Sequence, residues 1–489
     1  MRAPLGGLTA FFVLFAACGT SSSSGQGTGG QATSSVGGSV VAGGGAGQGA
    51  AGGGTGQGAK GNGGQGATGG GLDAAGNRAA GGAPGATDAS AVSVDGQDAA
   101  RAPLDATTDA LAGGRFPFPQ NQRLARCTYP AAANSADALG AYTRWKAELV
   151  TANGAGGHLR VRRPNSPGSE VDSTVSEGIA YGMLLAVAMD DPALLDELWK
   201  YSQLWINGNG LMDWYINAAG STRLGTGGAS DADQDIAYAL VMASRKWGGS
   251  GTIGVLYLDA AKRQIDAIWQ HEVDHGNAEL LLPGDTWAGN VIFNPSYFAP
   301  NEYRVFAVVS GNDGWNRAID TGYAVLARSI NATNGNLSTG LPPAWCGADG
   351  VVKVPFAGGA TNYQYDAARV PFRIGQDDCF NGEPRAATFL APLTAFFAGI
   401  GAGAIVDGYD LGGAPHPDPD TPAGSPQSAV FVGGAAVGAM HDAKLAAFMN
   451  DAYARVATGQ LLARSRYYNL SWTALILLMQ TGNLVEYPP

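Results

Sequence analysis

Three places in this sequence set an acid among residues that suggest chemistry rather than simple solvation. The first is Ser176-Glu177-Gly178-Ile179-Ala180-Tyr181-Gly182-Met183. Ser176 reads as a helix cap, which puts Glu177 in the first turn, where the helix dipole favours an acid. Gly178 and Gly182 would each cost about 1 kcal/mol relative to Ala inside a helix. They therefore suggest room for a bulky ligand close to the backbone. The second place is Ser230-Asp231-Ala232-Asp233-Gln234-Asp235. Ser230 and Asp233 fit a capping-box-like pair, and Asp235 fits dipole compensation or solvent, which leaves Asp231 without a structural role. The third is Tyr365-Asp366-Ala367-Ala368-Arg369. An ion pair three residues apart is the plain reading, and a nearby Arg would also keep Asp366 ionised at neutral pH. One protonated and one ionised carboxyl, held apart, are the minimum for hydrolysing a glycosidic bond. Trp214, Trp287, Tyr297, Tyr467 and Tyr468 fall in loop-like or element-end contexts, where exposed rings would serve as sugar platforms. Tyr181, Tyr365 and Arg369, beside the acids, complete the candidate substrate-binding set.

Helices must position these groups. Ser230 to Trp247 is the clearest, with Ile236, Leu240, Ala243 and Trp247 along one face. The patterns predict further helices over 136–152, 176–189, 196–206, 254–272, 315–331, 384–400, 427–440, 442–457 and 465–481. Strand alternation is scarce. About a dozen helices without a parallel-sheet rhythm fit an all-α domain of paired helices, with the chemistry on loops at one end. Pattern alone does not separate a closed barrel from a solenoid.

These segments together resemble glycoside hydrolase family 8. Ala229-Ser230-Asp231-Ala232-Asp233, then Ile236-Ala237, Ala239-Leu240-Val241, Ala243 and Trp247, match that family's long signature. Ser176-Glu177-Gly178 with Tyr181-Gly182-Met183 is similar to the segment carrying its catalytic acid, and Tyr365-Asp366-Ala367 with Arg369 to the one carrying its base. Asn294-Pro295-Ser296-Tyr297-Phe298 and Tyr467-Tyr468 also resemble family segments. The resemblance implies an (α/α)6 barrel with a cleft across one end and inverting hydrolysis of β-1,4-linked polysaccharide. It implies Glu177 as general acid, Asp366 as general base, and Asp231 as the group that holds the distorted sugar. The Asp at 366 favours the cellulase and xylanase branch over the typical chitosanase branch. An endo-β-1,4-glucanase is the first expectation and a xylanase the runner-up. A raised pKa at Glu177 is expected, with the Asp231 charge as its cause.

The 489 residues carry a net charge of −11 and 76 Gly, unevenly spread. Residues 19–115 hold 31 of those Gly and no aromatic residue, so this stretch cannot bury enough apolar surface to offset its ordering entropy. It reads as a tether, with residues 116–489 as the catalytic domain. Residues 1–18 read as a signal peptide whose apolar run ends at Ala16-Ala17-Cys18, the place of a lipidated cysteine. An exported outer-membrane lipoprotein, held to the membrane only through that lipid and monomeric by default, is the expectation. The acidic balance argues against nucleic acid as a partner. Cys346 and Cys379 are the expected disulfide, leaving Cys127 free. The loop from Asp407 to Asp420 is acidic enough to consider for calcium but lacks EF-hand spacing, so no metal and no cofactor are expected. A non-catalytic polysaccharide-binding protein and a structural lipoprotein of the envelope are the competing classes. Both leave the matched carboxylates idle.

Overall fold

The computed structural model describes residues 116–489, except 167–168, 288–290, 357 and 418–426. The signal segment 1–18 with Cys18, the tether 19–115, and Asp418 and Asp420 of the acidic loop lie outside the described residues.

Twelve α-helices organise the described residues: α1 (Ser135–Leu149), α2 (Ser176–Ala188), α3 (Pro192–Gln203), α4 (Ser230–Trp247), α5 (Tyr257–His271), α6 (Pro300–Ser310), α7 (Gly314–Ser329), α8 (Val370–Asn381), α9 (Pro384–Ile400), α10 (Ala429–Gly438), α11 (Ala446–Ala457) and α12 (Arg466–Thr481). The even-numbered helices touch in sequence, and α12 returns to pack on α2, so they form a closed inner ring. Each odd-numbered helix packs outside: α1 on α12, α3 on α2, α5 on α4, α7 on α6, α9 on α8 and α11 on α10. This is an (α/α)6 barrel, as the resemblance implied.

Burial follows the layers. Every residue of α10 is buried, as is all of α12 after Arg466. The outer α1 buries only Ala138, Tyr142, Trp145 and Leu149, a stripe at helical spacing. Local signals set several ends. Asn134 accepts from the Ala136 amide at 2.9 Å to start α1, and Ser465 accepts from Tyr468 N at 3.3 Å to start α12. Gly248, at φ 69°, ends α4 in a backbone region that disfavours other residues. The two helices absent from the pattern reading, α6 and α8, each carry a Pro in the first two positions and bury charged side chains.

Because one outer helix lies between successive inner ones, the inner helices run parallel. At their C-terminal end, Lys246 of α4 donates to Val187 O of α2. The segment before α1 runs under this end. Gln122 N donates to Gly482 O beyond α12, and Thr128 N to Met440 O beyond α10. Those bonds satisfy carbonyls that a helix terminus leaves open. Cys127 in the same segment is bonded to Cys379 of α8, 252 residues away. This corrects the expected Cys346–Cys379 pair. Cys346 is the free, buried thiol, and its backbone pairs with Phe293 beside the opposite end of the barrel. Closure of the ring decided the partner, which loop spacing could not reveal.

Candidate functional site

The N-terminal ends of the inner helices carry the three candidate acids. Glu177 and Asp231 lie in the first turns of α2 and α4. Asp366 precedes a 3-10 turn, Ala367–Arg369, that leads directly into α8. One guanidinium joins all three. Arg369 Nη1 donates to Glu177 Oε1 at 2.7 Å and to Asp231 Oδ2 at 2.6 Å, and Nη2 donates to Asp366 Oδ1 at 3.3 Å. The predicted local pair of Asp366 and Arg369 is therefore present, but it is one arm of a larger junction. The Arg369 side chain is 1% exposed, against 15% for Glu177. Its guanidinium also sits 5.2 Å from the Tyr297 ring centroid.

Around this junction, Tyr181 OH donates to Glu177 Oε1 at 2.9 Å and Tyr467 OH donates to Oε2 at 3.1 Å. Gln364 Nε2 donates to Asp366 Oδ2 at 3.1 Å. The Asp231 Oδ1 atom accepts from the Ala232 amide. Burial pushes the Glu177 carboxyl up to about 7, against the opposing pull of Arg369; the Asp231 charge adds to the rise. Burial, rather than Asp231, is thus the leading cause, a correction to the sequence expectation. Burial also raises Asp231 and Asp366, again opposed by Arg369.

Several sequence readings change. Neither helix is capped by its serine: Ser176 Oγ has no hydrogen-bond partner among the described residues, and Ser230 Oγ donates to Leu282 O. Asp233 is not part of a capping box; its Oδ1 accepts from Gln264 Nε2 in the core. Asp235 is not solvated but forks with Arg373, at 2.7 Å through both oxygens. The two glycines of α2 make room for the protein rather than a ligand. A Cβ at Gly178 would lie 3.1 Å from the Tyr467 ring, and one at Gly182 would lie 2.5 Å from Leu198.

The aromatic candidates are mostly not exposed platforms. Tyr181, Trp214, Tyr297, Tyr365, Tyr467 and Tyr468 are all buried, and Trp287 is half-buried. Tyr181, Tyr297 and Tyr467 reach the junction directly. Tyr468 OH donates to Tyr365 O, and Tyr365 OH donates to Asp407 Oδ2 at 2.7 Å. Trp214 is stacked on Tyr215, and its carbonyl accepts from Ser176 N, which fixes the start of α2. Trp287 lies 6.2 Å from Trp345, nearly parallel to it. The acidic loop directs Asp407 to Tyr365 and Asp410 to His416. Sequence reading missed Gln364, Arg163 and Glu272. Arg163 lies over the rings of Tyr215 and Tyr467, and Glu272 is buried against Asp233. Gln364, two residues before Asp366, had a local signal; Glu272 gains Asp233 when α5 packs on α4, and Arg163 gains Tyr467 only when the ring closes.

The sequence profile of glycosyl hydrolases family 8 matches residues 116–482. The chain belongs to that family. Endoglucanase A of Acetivibrio thermocellus is 39% identical over 69% of this chain and 68% of that protein. Endoglucanase 2 of Ruminiclostridium josui is 36% identical over 76% of this chain and 77% of its own length. Among solved structures, the apo β-1,3-1,4-glucanase of Paenibacillus sp. X4 superposes with a TM-score of 0.68. It is 27% identical and covered over 99% of its length, against 76% of this chain. A reducing-end xylose-releasing exo-oligoxylanase, 21% identical with a TM-score of 0.60, shares the fold. As a family 8 member the chain is a glycoside hydrolase, and the Arg369 junction stands where the family resemblance placed its acid and base segments.

Proposed function

We propose that this enzyme is an endo-acting β-1,4-glucanase that inverts the anomeric carbon, with Glu177 as general acid and Asp366 as general base. Asp231 holds the distorted sugar at the cleavage point. The observation that carries this reading is the single guanidinium bonded to all three carboxyls. Two carboxyls bridged through one guanidinium are compatible with the roughly 6.5–9.5 Å spacing that lets an inverting enzyme place a water. Glu177, raised to about 7 by burial, retains a proton to give to the glycosidic oxygen as the C1–O bond breaks. Asp366 takes a proton from the water that attacks C1 on the opposite face. The proton lost by Glu177 and the one gained by Asp366 leave the charge around Arg369 unchanged, so the guanidinium stabilises reactant and product states alike. Similarity to proteins named endoglucanases supports glucan as the substrate.

The test is proton NMR of the products that the full chain releases from carboxymethylcellulose, mixed-linkage β-glucan, xylan and chitosan. Initial α-anomers from a β-glucan are expected. Initial β-anomers would overturn the acid and base roles, and release from xylan alone would overturn the substrate. We also propose, from sequence alone, that Cys18 carries a lipid and residues 19–115 tether a monomeric enzyme at the outer membrane. Membrane fractionation that leaves the Cys18→Ser chain as firmly bound as the parent would refute that anchor.

A further inference from the structure

One turn below Arg369, the barrel axis holds a second charged junction. Arg373 forks onto both oxygens of Asp235 at 2.7 Å, and its Nη1 also donates to Glu302 Oε1 at 2.9 Å. Arg369 and Arg373 lie four residues apart, as do Asp231 and Asp235, so each pair shares a helix face. The result is a two-rung ladder: Asp231–Arg369 above, Asp235–Arg373 below, with Glu177 joining the upper rung and Glu302 of α6 the lower. The lower rung is sealed: Arg373 is 3%, Asp235 0% and Glu302 1% exposed at the side chain. A cavity of about 10 Å³ beside it, lined also by Gln376 and Trp472, holds one water at most.

We propose that Arg373 is a positioning residue for the reaction: its fork onto Asp235 fixes the rotation and register of α8 against α4, and so places Arg369 and Asp366. The argument is geometric. A bidentate guanidinium–carboxylate pair specifies direction as well as distance. It sits on the two helices whose first turns present Asp231 and follow Asp366. Tilting α8 about this rung would carry Arg369 away from Glu177, and small misplacements of catalytic groups are costly.

The inference rests on the roles proposed above for Glu177 and Asp366. Its test is Arg373→Lys, which keeps a buried cation against both acids but removes the fork. The expected result is a folded enzyme whose kcat falls about 10- to 100-fold while KM stays within about threefold. The alkaline limb of its pH profile should also move up, because Arg369 would hold the Glu177 anion less well. Among the described residues, the charged or titratable groups facing Glu177 are Tyr181 on its own helix, Asp231, Tyr297, Asp366, Arg369, Tyr467, Tyr468 and Arg163. Arg373→Lys leaves all of them in the sequence, so a moved limb reports displacement. Unchanged kcat, or lost kcat with an unmoved limb, would overturn the proposal. A crystal structure of the variant separates this inference from the roles beneath it. Arg369 still bonded to Glu177 and Asp231 refutes the positioning whatever the chemistry; Arg369 displaced supports it.

Discussion

The two ends of the inner ring are built from different chemistry. At the N-terminal end, buried Asp231, Asp366 and Arg369 meet the partly exposed Glu177. At the C-terminal end, a strap of main-chain hydrogen bonds and the Cys127–Cys379 bond tie the segment before α1 to α8, α10 and α12. Six parallel helices aim the positive ends of their dipoles at the first end, which favours anions there. Even so, burial raises each carboxyl, so that end holds charges the fold must restrain. The opposite end is held instead by neutral main-chain bonds and a covalent link. Chemistry and the strap are thereby assigned to opposite faces, and a change at one should leave the other largely untouched.

The sharpest way to break this division is at Glu177. Glu177→Gln keeps an Oε1 acceptor for Arg369 and Tyr181 but has no proton to give. Turnover of β-glucan should fall by about 10²- to 10⁴-fold, the usual contribution of general acid catalysis. The thermal unfolding midpoint should stay near that of the parent. Activity comparable to the parent would remove Glu177 from the chemistry; unfolding in parallel would mean the N-terminal end carries stability after all.

How much of this was legible depended on which face a helix turned inward. The bounds of α4 were read correctly because Ile236, Leu240, Ala243 and Trp247 form an apolar stripe. Helix α9 was read as well, over 384–400. Helices α6 and α8 escaped because they turn Asn301, Glu302, Arg373 and Asp377 into the barrel, where periodicity looks for apolar residues. The three acids were legible from local context and from the family signature. Their shared partner was legible only for Asp366, three residues from Arg369. Contacts of Arg369 to Glu177 and Asp231, which span 192 and 138 residues, exist only once the ring closes. The same closure chose Cys127 over Cys346 and covered rings that sequence had left exposed.

At the other end, replacing both Cys127 and Cys379 with Ser should lower stability by about 2–4 kcal/mol, the usual range for a bond that closes a long loop. Cys379 lies ten residues along α8 from Arg369, about 15 Å at helical rise. Below the unfolding transition, kcat should therefore match the parent. Calorimetry and steady-state kinetics on the same preparation decide the matter. A fall in kcat in the folded variant would show that the strap reaches through the barrel to the chemistry.

The smallest expected effect is within the site. With Glu177 raised to about 7, kcat/KM should fall as pH rises through that value, because the active form is the protonated one. An acid limb set by Asp366 should lie above the ordinary aspartate range, since burial raises that carboxyl too. Tyr181 OH donates to Glu177 and so favours its anion. Tyr181→Phe removes that donor, and the alkaline limb should move up by about half to one pH unit. The acid limb should stay in place, because among the described residues Tyr181 has no hydrogen bond to Asp366, whose donors are Gln364 and Arg369. If both limbs moved together, the junction would be titrating as one unit around Arg369, and separate acid and base assignments would no longer describe it.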